Sequence, residues 1–181
     1  EVSDQVASML NIYVEGVRDA DAMLGRLVDY FSQRSEPVVL VFLGDHLPYL
    51  GDNRQAYAEL GMEIALPEAE QSDPLCSYET PYVIWANDAA KDVLGQDFLG
   101  EGPDVSSCFL MNLPFDYLGW TGDAWAQATT DIWRESPVLT STGSYIRNGE
   151  LTTELDPEGQ ALLSRYQSLE YYYGTHFQYD S

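Results

Sequence analysis

Asp45 and His46 stand side by side in the run Gly44-Asp45-His46-Leu47-Pro48. A carboxylate and a neutral imidazole are donors that a divalent ion accepts together, and adjacency on the chain delivers both to one spot. Two donors do not complete a centre, because a stable one takes roughly four or more ligands. The pair alone is a candidate for part of a metal site. By residue type alone, a Gly-Asp-His run after a strand is more often a structural turn.

Other side chains with chemical potential have simpler readings. Ser106 and Ser107 precede an apolar helical run, where helix-terminal amides would assist an oxyanion, but helix capping accounts for them better. His176 lies beyond a helix stripe among tyrosines and has no companion ligand. Asp21 falls on the polar side of its helix and takes no role. The tryptophans and the Tyr171-Tyr172-Tyr173 run could stack on sugars, with core and rim packing as the default. Cys76 and Cys108 lack metal-site spacing. A bridge between them would close a loop of about 30 residues and stabilise by roughly 3–4 kcal/mol, whereas two free, partly buried thiols fit equally well.

The element that must position Asp45 and His46 is Val38 to Leu43, six apolar residues read as a strand buried on both faces of a sheet. In an open α/β sheet, ligands gather outside the carboxyl ends of the strands, which is where the pair would stand. Leu10, Tyr13, Val17, Ala20, Leu24, Leu27 and Phe31 recur at helical spacing before it, with Pro37 as the stop. This predicts a helix packing one side on the sheet. A helix leading into a buried strand is half of a βαβ unit, so part of the sheet and of the site is expected upstream of Glu1.

Downstream, a short helix is predicted from about Arg54 to Leu60 with Gly61 as its stop, and a second strand at Met62 to Leu66. An exposed loop follows at Pro67 to Ser77, then a strand at Pro81 to Ala86 and a connection with a short helical turn over Ala89 to Asp104. Val105 to Leu118 reads as helical but interrupted by Pro114. A further helix runs from about Gly122 to Arg134, with Trp125, Ala128, Ile132 and Trp133 inward. Asn148-Gly149 marks a hairpin, and Asp156-Pro157 opens a last helix with Ala161, Leu162, Tyr166, Leu169 and Tyr173 on its stripe. The fold expected is α/β, a sheet of mostly parallel strands flanked by helices, with a small antiparallel hairpin near the C-terminus. Residues 1 to about 104 would hold the core sheet and helices, and about 105 to 181 a helical and hairpin region.

With 181 residues and 45% hydrophobic content the chain can bury a core. Its 30 acidic against 8 basic residues give a net charge of −22. Nucleic acid and an anionic membrane surface would both repel such a chain. No apolar run reaches membrane-spanning length, and no signal peptide opens the sequence.

The run Gly44-Asp45-His46-Leu47-Pro48 after Val38 to Leu43 resembles the second metal-binding motif of the alkaline phosphatase and sulfatase superfamily, and more narrowly its lipoteichoic acid synthase and phosphoglycerol transferase branch. Asn11-Ile12-Tyr13 and Asp21 to Leu27 are similar to that branch's preceding helix, and Thr80 to Asn87 to its next core strand. The resemblance covers about residues 9 to 87. It implies a partial sulfatase-like fold and a C-terminal portion of a catalytic domain, with Asp45 and His46 on a divalent metal, usually manganese, with magnesium or zinc as alternatives. The nucleophile, the other ligands and any membrane helices would lie in the upstream part of the same polypeptide. The substrate implied is a lipid-linked phosphoglycerol or similar phosphodiester, handled at the extracellular face of a bacterial membrane. A sulfatase or phosphatase, and a non-catalytic acidic extracellular module that binds glycans or proteins, are the rival readings.

Overall fold

The computed structural model describes residues 1–67 and 70–176. They form two compact units, Glu1–Leu99 and Gly100–Ser181.

The first unit opens with α1, Asp4–Ser32. Ser3 caps it by accepting the Val6 amide, while its own amide and hydroxyl both donate to Glu59 at 2.7 and 3.0 Å. That clasp ties the start of α1 to α2, Gln55–Leu60, and holds the Glu59 carboxyl below its ordinary range, the Ser3 amide being the main cause. Val6 is fully buried with Ala56 and Tyr57 of α2. Farther along α1, the predicted stripe is not fully covered: Tyr13 and Val17 are 40% and 48% exposed. The helix ends at Ser32 rather than at Pro37, with the Gln33 and Arg34 amides closing its last turn on the Tyr30 and Phe31 carbonyls and a distant side chain also donating to Phe31.

The apolar run forms β1, Val39–Leu43, and pairs with β2, Tyr82–Ala86, in an antiparallel ladder. This corrects the expected mostly parallel sheet, since every strand pair among the described residues is antiparallel. The reason lies in the intervening segment. Gly44 donates its amide to the carbonyl of Pro81 at 3.0 Å, so the chain leaves and re-enters the sheet at the same end and makes no crossover. Both strands are edges, so β1 is only partly buried instead of sealed on two faces. The strand expected at Met62 to Leu66 is instead a 3-10 turn, Glu63–Ala65, whose Ile64 is buried and whose carbonyl accepts from Arg54 at 2.5 Å. Gly61 ends α2 in the left-handed conformation, as its position foretold.

Asn87 joins these pieces. At 1% exposure, it accepts the Val38 amide (3.0 Å) and the Ala90 amide (2.9 Å) on Oδ1. Its Nδ2 donates to Phe31 (3.1 Å), Arg34 (3.3 Å) and Glu36 (2.9 Å) carbonyls. One amide thus caps α3, Asp88–Leu94, closes the C-terminus of α1 and fixes the entry to β1.

In the second unit Pro114 falls in the first turn of α4, Asn112–Tyr117, where a missing N–H is harmless, and Ser107–Phe109 forms a separate 3-10 turn before it. Asp123 caps α5, Ala124–Glu135, whose innermost line is Ala126, Thr129 and Ile132. Short β3, Val138–Leu139, pairs with β4, Tyr145–Arg147, and β4 with β5, Glu150–Thr152, through a turn in which Asn148 and Gly149 both have positive φ. Arg147, 6% exposed, is ion-paired with Glu135, Asp156 and Glu158. The last helix, α6, Pro157–His176, brings Tyr166 edge-on to Phe109 and Trp125, at centroid distances of 5.4 and 6.0 Å.

Candidate metal centre

Strand β1 ends at Leu43, and the next residue must pass Thr80 at close range. A Cβ on Gly44 would lie 3.1 Å from the Thr80 Cβ, and the Thr80 hydroxyl donates to the Gly44 carbonyl at 2.8 Å. A glycine and a hydroxyl therefore pin the chain where it leaves the sheet. Asp45 and His46 follow directly, projecting from the strand's carboxyl end with 88% and 72% of their side chains exposed. Beyond them, the Tyr57 hydroxyl donates to the Pro48 carbonyl at 2.8 Å, anchoring the far side of the loop on α2.

The two side chains are locally ordered. The Asp45 Oδ1 accepts the His46 amide at 2.9 Å, which leaves Oδ2 for another partner. His46 Nδ1 lies 3.0 Å from the Leu47 carbonyl. A carbonyl only accepts, so Nδ1 carries a proton, and in the neutral ring Nε2 is the nitrogen with the lone pair. Nε2 and Oδ2 are 3.6 Å apart. Two ligands at about 2.1 Å from one ion, subtending a tetrahedral angle, lie about 3.4 Å from each other. The separation matches that of two ligands on one divalent cation. Among the described residues no group of three or more His, Cys, Asp or Glu converges to hold a metal, so no third donor of these types stands beside Asp45 and His46.

The other candidates do not join them in a site. The Ser106 hydroxyl is committed to Leu139, donating to its carbonyl at 3.0 Å and accepting its amide at 2.9 Å, so it serves as a strand clasp. It occupies the cap position of the following turn without a side-chain cap bond, and Ser107 is exposed. His176 stacks on Tyr172 at 4.7 Å with Nδ1 against Thr175 and the Tyr172 carbonyl. Asp21 is exposed on α1. Cys76 and Cys108 are both free thiols, and burial raises the pKa of each. Sequence reasoning missed Asn87 and Thr80, the residues that set both ends of β1. For Asn87 the signal was an N-cap residue ahead of Asp88.

The sulfatase family model matches residues 1–107. The chain belongs to the sulfatase family. The match takes in the whole β1–β2 pair and the Asp45-His46 turn of this sulfatase-family chain. A protein of Rhizobium meliloti (strain 1021) with the provisional name cyclic beta-1,2-glucan modification protein is 34% identical over 83 residues. That alignment covers 44% of this chain and 12% of the relative, so the chain spans a small part of the relative's length. No solved structure matches the chain. In the described residues no helix is long and apolar enough to cross a membrane.

Proposed function

We propose that this chain is part of a metal-dependent enzyme of the cell envelope that transfers a phosphoglycerol or phosphoethanolamine group to a glycan or glycolipid, with Asp45 and His46 among its metal ligands. The observation that carries the reading is the 3.6 Å approach of His46 Nε2 and Asp45 Oδ2 at the exposed end of β1. A divalent ion there, manganese in the first instance, would neutralise charge on a phosphoryl oxygen and lower the pKa of a nucleophile. The chain's own contribution is to hold the two donors. Gly44 and Thr80 fix the strand exit, and the Leu47 carbonyl sets the imidazole tautomer. The name of the Rhizobium meliloti relative supports a glucan as the acceptor.

The remaining ligands and the nucleophile would come from an upstream part of the same polypeptide. Two observations support this: among the described residues no third donor of these types stands beside the pair, and the middle of α1 leaves Ile12, Tyr13, Val14 and Val17 at 40% exposure or more. Such a stripe is expected to be covered by another portion of a sulfatase-family domain. A hydrolytic reading, with water as the final acceptor, is favoured by the family's own description. The two readings share the metal donors and differ in the acceptor.

The test is His46→Ala in the full-length protein. Transfer is expected to be lost with the circular dichroism spectrum unchanged, and retained activity would remove His46 from the site. In this chain alone, two donors predict weak manganese binding, and tight stoichiometric binding in a calorimetric titration would contradict the partial-site reading.

A further inference from the structure

We propose that the shallow hollow beside Trp120, in the second unit, is a binding subsite for a neutral glycan, a glucosyl chain in the first instance. The choice of glucose rests on the glucan reading above, whereas the sugar class follows from the hollow itself.

The loop after α4 is built to present one indole ring. Gly119, with φ of +65°, reverses the chain, and the Trp120 amide donates back to the Phe115 carbonyl at 2.8 Å. Gly122, with φ of +72°, lies so close to α5 that a Cβ would come within 2.5 Å of the Ala126 Cβ and 2.7 Å of Phe115. Gln127 donates to the Gly122 carbonyl at 2.9 Å, and Asp123 caps α5 with one carboxylate oxygen. Held at both ends, the loop leaves Trp120 64% exposed, with Phe115 tilted 32° to it at 6.4 Å.

The shallow hollow so formed is open to solvent and is lined by Phe115, Gly119, Trp120, Thr121, Gly122 and Asp123. Its chemistry is an aromatic platform beside hydrogen-bonding groups. The indole N–H of Trp120, the Thr121 hydroxyl and the second Asp123 oxygen meet no partner among the described residues. A pyranose offers the complement, a face of C–H groups to lie on the ring and hydroxyls around its edge. A net charge of −22 disfavours an anionic occupant and leaves a neutral polyol unopposed.

The experiment is titration of the chain with a β-1,2-linked glucose oligomer, followed by the indole N–H resonances of its four tryptophans, with Trp120→Phe assigning the signal. A saturable shift of the Trp120 resonance is expected. Trp120→Ala should weaken binding roughly three- to tenfold, and Trp120→Phe should keep most of it. Trp120 is exposed, so the variants should fold, which circular dichroism checks. Absence of a Trp120 shift, or equal binding by Trp120→Ala, would overturn the proposal. Binding is read here without turnover, so failure of the transferase reading leaves this result intact, and the reverse also holds.

Discussion

Replacing Asn87 by alanine should cost the first unit about 2–4 kcal/mol, a figure assembled from the groups it would strand. The Ala90 amide would lose its cap on α3, worth about 1 kcal/mol. The half-buried Val38 amide would lose its acceptor at the entry to β1, at about 1–3 kcal/mol. The Glu36 carbonyl is exposed and can turn to water, so it adds little. Against a total of roughly 5–15 kcal/mol for a folded domain, the loss is large. Urea unfolding followed by circular dichroism gives the difference, and hydrogen exchange at the Val38 and Ala90 amides locates it. Asn87→Asp sharpens the test. It keeps the acceptor but turns a carboxylate toward the carbonyls of Phe31, Arg34 and Glu36, so it should be at least as damaging. A loss under about 1 kcal/mol for the alanine variant, or an aspartate variant as stable as the original, would refute the clamp.

Three further outcomes are expected. Gly44→Val places a branched side chain against Thr80 and should destabilise by about 1–3 kcal/mol in urea, with the His46 ring resonances displaced; a neutral effect would show that the strand exit is loose. The Asp156 carboxyl is held below the usual range, first by the Gly159 amide and then by Arg147. With its folded value below the unfolded one of about 3.9, it stabilises above that pH and its contribution fades as pH falls through the folded value. Asp156→Asn should therefore flatten the acid limb of stability, and an unchanged limb would count against it. Burial of Cys76 and Cys108 predicts slow reaction with a disulfide reagent at neutral pH and two reactive thiols per chain after unfolding; rapid native reaction would contradict it.

Local chemistry determined much of this protein. The 3.6-residue spacing placed α1 and α6, Gly61 ended α2, Asn148-Gly149 made the hairpin, and Asp156 with Pro157 opened the last helix, because each depends on a few neighbouring residues. The Asp45-His46 pair was legible for the same reason, being adjacent in the chain. Strand direction was not legible, since a buried apolar run reads alike whichever way its partner runs; the return of the chain through Gly44 and Pro81 decided it. Nor could the sequence show that Asn87 holds groups up to 56 residues away, or that the loop after α4 lifts Trp120 into the open. Those facts depend on which distant atoms meet, and only the tertiary structure pins the end of β1 against Thr80, where Asp45 and His46 leave the sheet.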